Sequence, residues 1–237
     1  MSKFKYYPKS HKYKIGKKEL ISVTTFVGKF FKPFKAKEVA RKLAKFPINK
    51  QNKRGVRYWL NQWKESAEHG TRVHNAVEDI INGKDKPKLE EERDNKKVEQ
   101  VEIFLKEEIE EDLVKDTELK IYSEELGLAG TIDLIIYNED GTVSLVDWKT
   151  NKAIKKKGFS GEKCKAPLAD MDDCNYNKYL LQLSTYAYIL EKQYDLETRD
   201  LKIVHLKEDS YKIYEVEYMK DKVEEMLNEI QTNVSTK

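Results

Sequence analysis

Residues 130–150 read GTIDLIIYNEDGTVSLVDWKT. Gly130–Tyr137 and Thr142–Asp147 are short runs rich in β-branched and aromatic residues, joined by the tight hairpin connection Asn138-Glu139-Asp140-Gly141. In a hairpin closed by that turn, residues whose numbers sum to about 279 or 280 lie opposite one another. Asp133 then faces Asp147 or its neighbour. Asp133 stands in an otherwise apolar strand and Asp147 ends the next one, and a carboxylate among Ile and Leu needs a compensating cation. Two carboxylates side by side repel, which a divalent metal relieves. Lys149, two residues after Asp147, projects to the same face of the strand. Acid, metal and amine converge on one point, which is equipment for hydrolysing a phosphodiester. Taken alone, a D-x-K string also describes a strand-end salt bridge.

Outward from this hairpin, Glu118–Glu124 is a third strand, and Val98–Leu113 an amphipathic helix with Val101, Leu105 and Ile109 on one stripe. A longer helix is expected over Tyr58–Ile81, stopped at Asn82-Gly83, with a polar, exposed segment at 84–95. Nearer the N-terminus, 12–24 reads as a short hairpin, Ala36–Phe46 as a helix ended by Pro47, and 49–57 as a basic loop. Downstream come a Lys-rich loop at 151–175, a helix over Lys178–Gln193, strands Leu201–Leu206 and Lys212–Tyr218, and a helix over Lys220–Gln231. From Val98 the order is α-β-β-β-α-β-β-α, an α/β fold with a small mixed sheet flanked by helices. No repeat or Gly/Ser- or Pro-rich linker divides the chain. The basic, mostly helical region 1–57 is therefore read as part of the same domain as a core at 58–237.

The 237 residues suffice for one such domain with a real core. Charged residues form 37% of the chain, and no run approaches the roughly 18 apolar residues of a membrane helix. The basic N-terminus lacks the apolar stretch of a secretory signal. Cys164 and Cys174 fit no compact zinc pattern and cannot alone hold an iron–sulfur cluster, so a cytoplasmic setting is expected. The net charge of +3 conceals a segregation. Residues 1–57 carry 18 Lys and Arg against 2 Asp and Glu, residues 58–148 carry 11 against 24, and residues 149–165 carry 7 against 1. A lysine-rich genome explains many lysines but not their separation from the acids; a polyanion partner does.

Two further pairs extend the pattern. G-T-R-V-H-N-A-V-E at 70–78 places His74 and Glu78 one helical turn apart, a usable metal edge that is equally an ordinary helix-surface pair. Q-L-S-T-Y at 182–186 places Gln182 and Tyr186 likewise. In this order, G-x3-H-x3-E, G-x-I-D, D-W-K-T and Q-x3-Y, the chain resembles the PD-(D/E)XK nuclease superfamily, and within it the RecB-like exonuclease branch. S-V-T-T-F at 22–26 and L-G-L-A-G-T-I-D at 126–133 add a likeness to the group that holds the mitochondrial genome-maintenance exonuclease and related phage nucleases. The resemblance spans 22–190, and the last two strands and helix fit it loosely.

That resemblance implies a restriction-endonuclease-like core and a role for each matched position. Asp133 and Asp147 would be metal ligands with the backbone carbonyl of Trp148, and Lys149 the catalytic lysine. His74 would be a further ligand, and Glu78 a ligand or the residue holding the metal-bound water. Gln182 and Tyr186 would position the DNA backbone or Lys149. Relatives often carry an acid before the Asp133 strand, where Glu124 and Glu125 both stand. Ile132 replaces the frequent Pro, and the iron–sulfur cysteines of some relatives are absent.

The implied cofactor is one or two Mg²⁺ or Mn²⁺ ions, and an imidazole ligand favours Mn²⁺. The implied substrate is DNA, single-stranded or with free ends, cut by an exonuclease or flap-type nuclease to 5′-phosphate and 3′-hydroxyl. A catalytically idle DNA-binding protein on the same fold, or a site-specific endonuclease, is the alternative. Around the site, Ser22, Thr24 and Thr25 can donate to a phosphate, and Lys152, Lys155, Lys156 and Lys157 read as a mobile DNA-contacting flap. Lysines interleave with Phe26, Phe30, Phe31 and Phe34, which suits base stacking, although the spacing of Phe30 and Phe34 suits a core.

Overall fold

Strand β5 (Leu128–Tyr137) is buried along most of its length because both of its edges and both of its faces are covered. The computed structural model describes residues 3–45 and 54–235; the expected helix end at Phe46-Pro47 and residues 49–53 of the basic loop lie outside them. Antiparallel β4 (Lys115–Ser123) runs along one edge of β5. The other edge is shared. β3 (Lys18–Ser22) pairs in parallel with Leu128 and Ala129, and β6 (Val143–Lys149) pairs antiparallel with Leu134–Tyr137. Residues 130–133 between them have no ladder partner on that side among the described residues. β1 (Phe4–Tyr7) and β2 (Lys12–Ile15) extend β3, while β7 (Thr198–Leu206) and β8 (Tyr211–Glu215) extend β6, completing an eight-stranded mixed sheet. The N-terminal region thus adds three strands to the sheet as well as helices α1 (Val23–Gly28) and α2 (Ala36–Lys45).

Helices cover the sheet on both sides. α5 (Asn175–Tyr194), with α1 and α6 (Lys220–Ser235), packs one face around Val23, Phe26, Leu181, Ile189 and Val223. α3 (Val56–Ile81) and α4 (Glu92–Glu108) pack the other around Val73, Phe104, Trp148 and Val204. This is the α/β, restriction-endonuclease-like arrangement expected from the order of elements.

Two segments differ from expectation. The stretch 84–95 is not simply exposed: α4 begins at Glu92, and Asp94 is fully buried. Asp94 bonds His69 and accepts from Arg72 Nε at 2.5 Å, tying α4 to α3, while Asn95 exchanges hydrogen bonds with the backbone of Leu89. A paired buried carboxylate has no signature in an apolar periodicity. The loop at 151–175 is also anchored rather than a free flap. Lys163 and Asp172 form a β-bridge, Lys155 N–H donates to Asn175 Oδ1 at 2.7 Å, and Leu168 is fully buried.

Candidate active site

The pleat of β6 sets the chemistry. Val146 and Trp148 face α3 and α4, where the Trp148 ring is buried edge-on to Phe104 at 5.2 Å. Period two then sends Asp147 and Lys149 toward α5. There Lys149 Nζ lies 2.5 Å from Asp147 Oδ2 and 4.5 Å from the centre of the Tyr179 ring. Gln182 Nε2 donates to Asp147 Oδ1 at 3.1 Å and lies 3.4 Å from Tyr186 Oη. Burial pushes the Asp147 carboxyl up to about 6, against the pull of Lys149 and with the help of Asp133. Burial draws the Lys149 ammonium down, but Asp147 and Asp133 outweigh it and hold it above its ordinary value. Lys149 is thus a charged donor.

Two glycines of the motifs have steric reasons. A Cβ at Gly130 would stand 3.3 Å from Cδ1 and Cζ of Tyr186, and closer still to the Cε1 between them. A Cβ at Gly70 would meet Thr150 Oγ1 at 3.2 Å, so the glycine lets α3 lie close to the end of β6.

Paired residues of β5 and β6, such as Leu134 with Val146, put Asp133 opposite Asp147 one step further on, but the ladder stops first. The strands part, and Asp133 Oδ2 accepts from the Trp148 N–H at 2.9 Å. His74 arrives from α3, with Nε2 3.1 Å from the Trp148 carbonyl oxygen and Nδ1 3.6 Å from Asp133 Oδ2.

The acid that completes this group is Glu118, not Glu124 or Glu125. In the β4–β5 ladder Thr117 pairs with Leu134 and Leu119 with Ile132, while Glu118, opposite Asp133, is skipped and has φ of 52°. A left-handed backbone is uncommon for a residue with a side chain and costs about 1–2 kcal/mol. Thr117 Oγ1 covers the break by donating to the Asp133 carbonyl at 2.7 Å. The pleat slips here: Ile132 joins the core under α5, whereas Leu134 joins the core under α3 and α4. One ligand atom each of His74, Glu118 and Asp133 then lies within 4.8 Å of the others. Burial, and next the Asp133 charge, hold the Glu118 carboxyl above its ordinary value. Strained backbone and crowded like charge are what a divalent cation would offset, and an imidazole with two carboxylates beside a backbone carbonyl suits such an ion. His74, Glu118 and Asp133 would hold it.

Residues 49–236 match the family model of the PD-(D/E)XK nuclease superfamily. The chain belongs to that superfamily. It is accordingly a nuclease of the kind that uses divalent metal and acts on DNA, and the match takes in every expected site residue from His74 to Tyr186. No curated protein matches the chain. A solved structure described as "Crystal structure of SSO0001" is similar at 14% identity and a TM-score of 0.33, over 73% of this chain and 88% of that one.

The remaining expected residues of the nuclease are placed as follows. Glu78 stands one turn beyond His74, outside the three-residue group, where its charge raises the Glu118 carboxyl. Both oxygens of Asp147 face Lys149 and Gln182, so Asp147 borders the group without joining it. Ser22 caps α1: its Oγ accepts from Thr25 N–H at 3.1 Å and lies 3.1 Å from Thr24 Oγ1. Phe26, Phe30 and Phe31 are buried in the core, while Phe34 is exposed. Lys156 lies over the Tyr176 ring, Lys157 pairs with Asp172 at 3.4 Å, and Lys155 has an exposed side chain. Lys152 lines a cleft beside the site. No described helix is long and apolar enough to cross a membrane.

Proposed function

We propose that this nuclease degrades DNA from single strands or free ends, with Mg²⁺ or Mn²⁺ as its ion, Asp133, Asp147, His74 and Glu118 around that ion, and Lys149 as the catalytic lysine. The observation that carries the reading is the convergence of Lys149 and Asp147 from β6 with Asp133 from β5 where the two strands part. A bound cation supplies Lewis-acid polarisation of the phosphate and a more acidic attacking water. The chain's own residues do the rest. Lys149, whose ammonium Asp147 and Asp133 favour, donates to the oxygens that gain charge at phosphorus. Gln182 and Lys149 fix the two Asp147 oxygens, and Tyr186, a neutral buried phenol held well above its ordinary pKa first by burial and then by Asp133 and Asp147, backs Gln182. Water attacks phosphorus in line, the bond to O3′ breaks, and a proton passes to that oxygen, leaving 5′-phosphate and 3′-hydroxyl. The preference for single strands or ends is supported by the likeness to the RecB-like branch and by the basic segments flanking the site.

End-labelled single-stranded, duplex and circular DNA digested with Mg²⁺ or Mn²⁺ tests the reading. The linear single strand is expected to be lost first. Lys149→Ala is expected to cut at least about a hundredfold more slowly with DNA affinity nearly unchanged, because one amine among many adds little to binding. A rate within a fewfold of the parent refutes the role of Lys149.

A further inference from the structure

Beside the site, between the N-terminal half of α3 and the ends of β6 and β7, lies an open cleft of about 590 Å³, within the size range of small-ligand pockets. Thr150 and Asn151, the two residues that follow Lys149 in the chain, are among its lining. Lys97 Nζ holds the Thr150 carbonyl at 2.6 Å and fixes that part of the lining.

Its aromatic wall is Tyr58, Trp59 and Trp63. Trp59 and Trp63 are one turn apart on α3 and face the same way. None of the three belongs to a hydrophobic core cluster, and all are partly exposed. Phe34, exposed, stands edge-on to Trp63 with ring centres 4.9 Å apart and extends the wall outward. Indole rings left out of the core forgo a large gain from burial, so their position calls for another use. Trp59 Nε1 and Asn151 Oδ1 are both buried without a hydrogen-bond partner among the described residues.

Its charge is positive. Arg54, Lys152 and Lys207 line the cleft with no ion-pair partner among the described residues, and Arg54 stacks on Tyr58 at 4.4 Å. Arg93, by contrast, is taken up by Glu65 at 2.6 Å. Flat π faces and unspent cations next to a phosphate-cleaving centre are the combination that binds unpaired nucleotides: every base has a face to stack, and the cations follow the backbone. A base still paired in a duplex is stacked on its neighbours and cannot enter.

Resting on the nuclease reading, we propose that this cleft is a base-binding subsite that takes one unpaired nucleotide of the DNA strand leading to the catalytic group. The indoles of Trp59 and Trp63 stack the base, and Arg54, Lys152 and Lys207 hold the flanking phosphates. The subsite selects single-stranded DNA.

The test is binding of a labelled dT 12-mer and of a blunt duplex in EDTA, followed by single-turnover cleavage with Mn²⁺. Trp63→Leu and Trp59→Leu are expected to weaken the 12-mer by about five- to a hundredfold, Trp63→Phe by much less, and the duplex hardly at all. A series of 12-mers with one abasic position each is expected to show one position where losing the base matters for the parent and not for Trp63→Leu. Ser66→Trp, an exposed cleft position, fills the space without removing a ring and is expected to weaken the 12-mer alike, which guards against misfolded indole variants. Unchanged 12-mer affinity in folded Trp63→Leu and Ser66→Trp, with parent cleavage intact, overturns the subsite and leaves the nuclease standing. Absence of any cleavage by the parent, with 12-mer binding still lost in these variants, overturns the nuclease reading and supports the cleft as a nucleotide site.

Discussion

Replacing Gly130 by alanine places one methyl group against the ring of Tyr186, at 3.3 Å from Cδ1 and Cζ and nearer to Cε1. Carbon atoms settle at about 3.5–4.0 Å, so the ring has to retreat by roughly 1 Å. Tyr186 is only 3% exposed and lies in the core beneath α5, so it cannot swing away as a surface side chain would. Overpacking of this kind costs about 1–3 kcal/mol. For a domain of this size that is a fall in melting temperature of about 2–12 °C. The retreating phenol also loosens Gln182, and through it Asp147, so cleavage is expected to slow at temperatures where the variant is still folded. The assay is thermal unfolding of Gly130→Ala, Tyr186→Leu and the double variant, with cleavage measured well below the melting range. The methyl is expected to be costly beside tyrosine and nearly neutral beside leucine, a coupling between the two sites. Equal effects of Gly130→Ala in both backgrounds, or an unchanged melting temperature, refute the argument that this glycine exists to admit the ring.

Glu118→Gly relieves a left-handed backbone and a repulsion with Asp133, so in EDTA it is expected to melt no lower than the parent while losing most of the stabilisation Mn²⁺ gives the parent. A lower melting temperature in EDTA with the Mn²⁺ gain intact removes Glu118 from the site. Asp147 titrates near 6 in the ion-free protein, above its unfolded value, so its ionisation works against the fold as pH rises from about 4 through 6. Asp147→Asn is expected to remove that slope in EDTA, measured as melting temperature against pH, and an identical profile in both proteins defeats the assignment. Because protons then compete with the cation, stabilisation of the parent by Mn²⁺ is expected to weaken as pH falls through about 6; an increment equal at pH 5 and 7.5 counts against Asp147 beside the ion.

The part of the fold that follows a period was legible in the sequence. The alternation of β5 and β6 located the hairpin and its register, and with them the approach of Asp133 to Asp147 and the shared face of Asp147 and Lys149. What broke the period was not. Glu118 precedes Leu119 and Ile121, which join the core under α5, so alternation sets it on the other face of β4, and the break in the ladder that leaves it opposite Asp133 with a left-handed backbone has no sign in the sequence. Glu124 and Glu125 stand where relatives often carry an acid, before the Asp133 strand, yet they fall at the turn after β4. Asp94 falls in a stretch that reads as exposed because the partners that bury it, His69 and Arg72, are distant in sequence. Trp59 and Trp63 fell inside a recognised helix, where large apolar residues are ordinarily core.

The same break accounts for where the chemistry sits. An uninterrupted β3–β5–β6 edge would pair the backbone around Asp133 and leave no room for side chains to converge. Parting the strands leaves backbone groups to be satisfied, and each unpaired buried one costs about 1–3 kcal/mol. The Trp148 N–H goes to the Asp133 carboxylate and the Trp148 carbonyl faces His74, while at the break with β4 the Asp133 carbonyl accepts from Thr117. Two of the groups that would meet the cation therefore also close the gap that makes space for it. Their removal by alanine opens the fold as well as the site, so loss of activity in Asp133→Ala cannot by itself assign chemistry. Lys149 is different. Its ammonium meets a carboxylate and an aromatic face, and among the described residues no backbone group depends on it. For that reason the catalytic assignment rests on Lys149, and the acids are better read through substitutions that keep an acceptor in place.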